Sequence, residues 1–226
     1  MLSRHNYAGK ERARYHPAHT TMSNLRFRKY YRRRLPHIQI AGSTYFVTFR
    51  LKDSLPKDAL EKLSEEIAKI KELPKDEADL EHRRWFGKFD DYLDRVLCGD
   101  IFLKNESIAD LVAESIHYRD GKVYDLVAFC IMPNHVHLVF MPLEKTEGVF
   151  YSLTEILQSL KRHTARQSNL ILGRSGAFWQ DESCDHIVRN ETELERIIKY
   201  VLNNPVKAGL VDDWAEWKWS YCKYNL

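Results

Sequence analysis

The sequence has few cysteines and no long apolar run. Its four cysteines stand far apart, without a CxxC pair, at Cys98, Cys130, Cys184 and Cys222. This spacing argues against a disulfide framework and against a common zinc module. No segment approaches the roughly 18 consecutive apolar residues that a membrane helix needs. The first residues carry Arg, His and Lys where a signal peptide has an apolar block. We therefore expect free thiols and a soluble cytoplasmic protein.

Internal repeats and low-complexity segments are also lacking, and the composition is that of a folded chain. The 226 residues are 44% hydrophobic and 12% aromatic, which is too apolar for a disordered protein and suits one domain. We expect that domain to span residues 36–226, with a helical, acidic insertion at about 53–98.

Acidic residues are nearly absent from the first 40 positions, although the formal charge of the whole chain is only +3. This segment holds ten Lys and Arg residues against the single Glu11. Aromatic rings interrupt its densest part, a mixture that binds phosphates and stacks on unpaired bases. We predict a flexible basic arm over residues 1–35 that binds a polyanion, although a solvated arm without a partner fits the same pattern. Its candidate contacts are Arg26, Arg28, Lys29, Arg32, Arg33 and Arg34.

Hydrophobic periodicity predicts an α+β fold. Alternation over 44–51 and a continuous apolar run over 124–132 are typical of strands. Pro133 and Asn134 then form a turn into a partner strand over 135–141. Helical spacing predicts helices at about 56–74, 85–96, 108–118, 153–160 and 191–203, with a loop before the last of them.

Two histidines lie two residues apart in the strand over 135–141. Because side chains alternate across a strand, His135 and His137 point to one face and Val136 to the other. Two neutral imidazoles and a third ligand can hold a divalent metal with open coordination positions. Taken alone, the pattern favours two polar residues on a solvated strand face, so a metal site needs a partner from elsewhere in the chain.

The helix over 191–203 can supply the missing partner. Asn190 followed by Glu193 has the form of a capping box. Tyr200 and Asn204, one helical turn apart, both lie off the apolar stripe, so an amide ligand could stand beside a phenol. Pro205 is expected to end or kink the helix there. An ordinary half-exposed tyrosine is the alternative for Tyr200.

Three further basic residues are candidate phosphate contacts. Arg162 and Arg166 are i, i+4 neighbours opposite an apolar stripe, although a solvated face explains them as well. Lys207 lies shortly after Tyr200 in the sequence.

A second metal hypothesis, a zinc site built on Cys130, Cys184, Asp185 and His186, is disfavoured by its spacing. For Phe178 and Trp179 we expect buried packing.

Four blocks in order resemble the REP-associated tyrosine transposases of the single-tyrosine HUH superfamily. They are HIQIAGSTYFVTFRL (37–51), AFCIMPNHVHLV (128–139), FWQDESCDHIVRN (178–190) and YVLNNPVKAGLV (200–211). The resemblance implies a ferredoxin-like antiparallel sheet with helices packed on it. It also implies that His135, His137 and Asn204 hold Mg²⁺ or Mn²⁺ and that Tyr200 is the nucleophile.

The implied reaction is cleavage and rejoining of single-stranded DNA at imperfect hairpins of repetitive palindromes, through a 5′-phosphotyrosine intermediate. The implied setting is the bacterial nucleoid, with the protein acting as a monomer or a homodimer. Two other functions stay open: a regulator that binds hairpins without cutting them, and a metal-dependent hydrolase in which activated water attacks and Tyr200 is incidental.

Overall fold

A central antiparallel sheet with helices on both faces organises the protein. The computed structural model describes residues 27–32, 36–95 and 98–224. Its strands are β1 (Phe27–Arg32), β2 (Pro36–Ile40), β3 (Tyr45–Leu51), β4 (Tyr124–Ile131), β5 (His135–Pro142), β6 (Glu144–Thr146), β7 (Val149–Phe150), β8 (Trp179–Ile187) and β9 (Ser220–Cys222). Its helices are α1 (Lys57–Ile70), α2 (Lys75–Asp94), α3 (Glu106–Arg119), α4 (Leu153–Ile171) and α5 (Glu191–Lys207). Among the described residues, no helix is long and apolar enough to cross a membrane.

The sheet has the strand order β8-β3-β5-β4-β9, and all its pairs are antiparallel. Along the chain, the first four strands of that row follow the order β3, helices, β4, β5, α4, β8. This is the βαββαβ connectivity of a ferredoxin-like fold. The predicted fold class is therefore confirmed, with α5 and β9 added after the core motif.

Alternation along β3 divides the interior into two apolar layers. Tyr45, Val47 and Phe49 pack against α3 and α4 on one face. Phe46 and the other residues of its face pack against α1, α2 and α5. The sheet is therefore covered on both faces, and any side chain in the middle of β5 is enclosed whichever way it points.

The helix that carries Tyr200 begins as predicted but ends differently. The side chain of Asn190 accepts a hydrogen bond from the backbone N–H of Glu193, which caps α5. The carboxylate of Glu193 instead accepts from the N–H of Arg189 and pairs with His186 at 3.1 Å. Pro205 does not end the helix, which continues to Lys207. Since Pro205 stands in the last turn, its missing N–H removes only one backbone hydrogen bond.

Two segments that the sequence assigned to irregular structure are strands. β8 replaces the predicted loop before α5, and among the described strands it pairs with β3 alone, at the edge of the sheet. Within the predicted arm, β1 pairs antiparallel with β2, so the expected boundary after residue 35 falls inside this hairpin. The remaining residues of the arm lie outside the described part of the chain.

The α1–α2 hairpin is an insertion in the core motif, and its two ends lie in contact with each other. The thiol of Cys98 donates to the carbonyl oxygen of Asp53 at 3.4 Å. Gly99, with φ +79°, lies so close that a Cβ there would stand 2.5 Å from the same oxygen. The insertion is therefore closed at its base by a contact that requires glycine.

Replacing Gly99 with alanine is expected to destabilise the protein by at least about 1–2 kcal/mol, the usual cost of a left-handed L-residue. The collision with Asp53 adds to that cost. Gly87→Ala is the matched control: it lies in α2, where an added Cβ would meet nothing within 4 Å, and we expect stabilisation by up to about 1 kcal/mol. Urea unfolding measures both. Equal midpoints for the two variants would contradict the close contact at Gly99.

Candidate metal and tyrosine site

Strand β5 places two imidazoles side by side beneath α2 and α5. Both rings are fully buried, so a solvated strand face, the alternative left open by the sequence, is wrong. The Nε2 atoms of His135 and His137 lie 3.0 Å apart. Two cis ligands of an octahedral ion with bonds of about 2.1 Å also lie about 3.0 Å apart.

Hydrogen bonds at the opposite ring nitrogens fix how these imidazoles face each other. The Nδ2 of Asn134 donates to the carbonyl of Leu93 at 3.1 Å, so its Oδ1 is left to accept from His135 Nδ1 at 2.7 Å. His135 therefore carries its proton on Nδ1 and presents a lone pair at Nε2. The Nδ1 of His137 contacts the hydroxyl of Thr48 at 2.9 Å. Burial lowers the pKa of His135 to about 3 and that of His137 well below its usual value. Both rings are thus neutral, as metal ligands must be.

A third donor comes from helix α2. Asp94 Oδ1 lies 3.7 Å from His135 Nε2, and Asp94, His135 and His137 form the one such group in the described part of the chain that could hold a metal ion. Asp94 Oδ1 and Asn204 Oδ1 are both buried and receive no hydrogen bond from any described residue. An orphaned carboxylate oxygen beside two facing nitrogen lone pairs fits a divalent cation, which would satisfy all three atoms.

The ring of Tyr200 packs against this pair of imidazoles. Its centroid lies 5.8 Å from that of His137 and 6.1 Å from that of Phe46. Asn204 donates from Nδ2 to the carbonyl oxygen of Tyr200 at 3.0 Å, and its Oδ1 has no hydrogen-bond partner among the described residues. The structure therefore brings His135, His137 and Tyr200 together from β5 and α5, with Asn204 one helical turn after Tyr200.

The hydroxyl of Tyr200 donates to Asp90 Oδ2 at 2.9 Å. Asp90 is fully buried, and burial is the largest cause that raises its pKa well above the usual value. Burial and the nearby carboxylates of Asp90 and Asp94 also raise the pKa of Tyr200 strongly. Tyr200 is therefore a neutral phenol that needs a proton acceptor before it can act as a nucleophile.

Lys207 lies at the mouth of the site, held by two carboxylates of α2. Its Nζ is 2.6 Å from Asp91 Oδ1 and 3.1 Å from Asp94 Oδ2. These partners raise its pKa against the opposing effect of burial, so it is a stable cation. The predicted phosphate contact thus joins α5 to α2 in this structure.

An open groove of about 510 Å³ runs along α5 beside Tyr200. It is lined by three cations and one indole, at Arg196, Lys199, Lys207 and Trp214. Positive charge beside an aromatic ring suits a single-stranded phosphodiester backbone. Tyr200 and Asn204 also line this groove.

The other predicted DNA contacts lie elsewhere. Arg162 and Arg166 belong to α4, which packs on the opposite face of the sheet from the histidines. Arg28, Lys29 and Arg32 belong to β1, and only their strand pairing is described. Arg26, Arg33 and Arg34 lie outside the described residues.

Other side chains singled out in the sequence have structural surroundings. Phe178 and Trp179 are buried, as expected. His186 pairs with Glu193, while burial raises the pKa of Cys130 to about 12 and that of Cys184 well above its usual value.

Sequence reasoning missed the two aspartates of α2 that reach the site. Asp90 and Asp94 stand among many acidic residues of an insertion that has no counterpart in the four blocks. One signal was present: Asp90 falls on the apolar stripe that includes Phe86, Phe89 and Leu93. A carboxylate at a core position of an amphipathic helix needs a buried partner, and here that partner is Tyr200.

Comparison with known proteins agrees with the blocks seen in the sequence. Residues 102–204 match the family described as "Transposase IS200 like". The REP-associated tyrosine transposase of Escherichia coli K12 is 23% identical over 105 residues, 46% of this chain and 58% of that protein. A Haemophilus influenzae protein named for the same class is 28% identical over 102 residues, 43% of this chain and 58% of that protein. The resemblance to the REP-associated tyrosine transposases is confirmed.

The similarity is partial in both sequence and structure. The chain spans 58% of the length of each of these curated relatives. A solved REP-associated tyrosine transposase, bound to a REP hairpin, has 18% identity and a TM-score of 0.46, with 88% of this chain and 82% of that chain covered. The matched family segment includes both histidines, Tyr200 and Asn204 but begins after α2. Asp90 and Asp94 therefore lie outside the matched segment.

Proposed function

We propose that this protein is a metal-dependent enzyme that nicks and rejoins single-stranded DNA through Tyr200. The observation that carries the proposal is the packing of the Tyr200 ring against the histidine pair, 5.8 Å between centroids, inside a buried group that could hold a metal. A phenol fixed beside such a group is suited to attack a phosphodiester that the cation polarises.

The residues of the site fit Mg²⁺ or Mn²⁺. His135, His137 and Asp94 would hold the ion, and Asn204 Oδ1 is the further oxygen that lacks a partner among the described residues. When bound, the cation would polarise a non-bridging phosphate oxygen and neutralise charge as the transition state forms. Asp94 is an addition to the ligand set that the resemblance implies.

Tyr200 supplies the covalent chemistry. Its oxygen forms a bond to phosphorus while the bond from phosphorus to the 3′ oxygen breaks, leaving a 5′-phosphotyrosine and a free 3′-hydroxyl. The tyrosyl ester conserves the energy of the broken phosphodiester, so a second 3′-hydroxyl can reverse the step without ATP. This property suits strand transfer, which simple hydrolysis would not achieve.

Substrate recognition is assigned to cationic surfaces on the Tyr200 side of the sheet. The groove along α5 presents Arg196, Lys199 and Trp214 to a strand that reaches the phenol. The basic residues of the arm would add contacts to the backbone of a DNA hairpin. The hairpin itself follows from the four sequence blocks and from the class of the curated relatives.

A covalent-capture assay tests the function. Labelled single-stranded hairpin DNA is incubated with the protein and Mn²⁺, then denatured in SDS. We expect a labelled adduct that migrates with the protein and that EDTA prevents. Cleavage without an adduct would support the water-activating hydrolase instead. A mobility shift with neither cleavage nor adduct would support the non-catalytic hairpin binder.

A further inference from the structure

Asp90 reaches the tyrosine from a part of the chain that the transposase-like segment does not include. It lies on α2, 110 residues before Tyr200, and its Oδ2 accepts the phenolic hydrogen at 2.9 Å. The carboxylate is fully buried, and its second oxygen receives no hydrogen bond from any described residue. A buried carboxylate destabilises a fold, which suggests that a role beyond packing retains it here.

We propose that Asp90 is the proton acceptor for Tyr200 during cleavage. This inference rests on the function proposed above. As the phenolic O–H bond breaks, the proton passes to Asp90 Oδ2 and the oxygen electron pair forms the bond to phosphorus. The 3′ oxygen leaves with the electron pair of its former bond and takes a proton from water. In rejoining, the carboxylic acid of Asp90 returns its proton to the departing phenolic oxygen.

Among the described groups around Tyr200, Asp90 is the one suited to accept the phenolic proton. The Nδ1 atoms of His135 and His137 contact Asn134 and Thr48, and their Nε2 atoms face each other at the proposed cation site. Lys207 is a donor already held by two carboxylates. An amide such as Asn204 does not accept a proton at neutral pH. Among the described residues, Asp90 is the carboxylate that touches the reacting oxygen.

The environment of Asp90 strengthens it as an acceptor. Burial and the charges of Asp94 and Asp91 raise its pKa, while the hydrogen bond from Tyr200 and the charge of Lys207 oppose that rise. A carboxylate with a raised pKa is a stronger base. The raised value narrows the difference in pKa between Asp90 and the Tyr200 phenol that it must deprotonate. Geometry and chemistry thus favour the same direction of proton transfer.

A purely structural role predicts a different result. In that case the contact would only fasten α2 over the site, and the charge of Asp90 would not matter to the rate. Asp90→Asn separates the two roles because the amide keeps the size and the accepting oxygen of the side chain but cannot take up the proton. Glu77→Gln, at an exposed position near the start of the same helix, is the control for loss of charge.

The test is single-turnover adduct formation on hairpin DNA with Mn²⁺. We expect Asp90→Asn to slow it by about 10²–10⁴-fold, the usual contribution of a general base, with hairpin affinity unchanged and Glu77→Gln within about threefold of wild type. Asp90→Glu, which restores a carboxylate, should recover part of the rate. If Asp90→Asn does not fold by circular dichroism, Asp90→Ser is compared in the same way.

A second experiment tests the proton transfer from Tyr200 to Asp90. Incorporation of 3,5-difluorotyrosine at position 200 gives a more acidic phenol that needs less help from a base. We expect this nucleophile to shrink the defect of Asp90→Asn at least tenfold. An equal defect with both phenols, or an Asp90→Asn protein as fast as wild type, would overturn the role of Asp90 and leave the proposed function standing. Absence of any wild-type adduct would overturn both.

Discussion

Tyr200→Phe is expected to abolish the covalent protein–DNA adduct, a fall of at least about 10³-fold, as removal of a nucleophile does. The substitution removes only the hydroxyl, so the ring contacts with His137 and Phe46 remain. Asp90 then loses its hydrogen-bond donor, which costs about 1–3 kcal/mol for a buried group. Adduct yield and hairpin affinity are measured together, and the affinity should stay within about threefold of wild type.

Tyr92→Phe is the control for this experiment. Tyr92 lies on α2, is partly exposed and lines a groove between α1 and α2 rather than the histidine site, so its variant should form the adduct at the wild-type rate. If Tyr200→Phe retains the adduct, another residue is the nucleophile. Loss of hairpin binding together with the adduct would instead assign Tyr200 to substrate recognition.

The second large effect concerns the metal ligands. We expect His137→Ala to weaken Mn²⁺ binding by more than about 100-fold, since changes to groups that merely orient ligands already cost about 10–100-fold. Asp94→Asn should weaken it by at least about tenfold, because the orphaned carboxylate oxygen near His135 is replaced by a neutral group. Isothermal titration calorimetry measures both affinities without any need for activity.

Thermal unfolding provides an independent check on the same ligands. At 100 times its dissociation constant, Mn²⁺ should stabilise the wild-type protein by about 2.7 kcal/mol, which corresponds to about 5–10 °C at this chain length. His137→Ala should lose this shift. Asp91→Asn, which removes a carboxylate one turn from Asp94, should keep both the shift and the affinity. Equal losses in Asp91→Asn and Asp94→Asn would show that general negative charge, rather than ligation, binds the ion.

The central strands were predictable because their signals are local. The apolar run over 124–132 and the alternation over 44–51 both mark strands that are buried by helices on each side. The same holds for the start of α5, since the capping oxygen of Asn190 and the apolar stripe of the helix lie in one short segment. These residues encode their structure without reference to distant partners.

Strand β8 was not predictable by the same rules. Its sequence from Gln180 to His186 is mostly polar, since it forms an edge of the sheet and pairs with β3 alone. Its structure depends on the hydrogen bonds that β3 offers, which no local pattern reports. The continuation of α5 past Pro205 rests on local bonds instead, because the carbonyls of Asn204 and Pro205 accept hydrogen bonds from the N–H groups of Ala208 and Leu210.

The residues of the candidate site also differ in whether local sequence could predict them. His135, His137, Tyr200 and Asn204 could be selected from spacing within one strand and one helix. Asp90 and Asp94 could not, since their proximity to the site depends on how the α1–α2 hairpin folds back over the sheet. Tertiary packing thus brought two carboxylates to a site whose other members could be selected from the sequence.

The most direct test of the account is to locate the DNA on the protein. The adduct formed with Mn²⁺ is digested with nuclease and trypsin, and the peptides that carry a nucleotide are sequenced by tandem mass spectrometry. The account predicts a phosphodiester-linked nucleotide on the phenolic oxygen of Tyr200, attached through its 5′ phosphate. A nucleotide on any other side chain, or linkage through a 3′ phosphate, would contradict it.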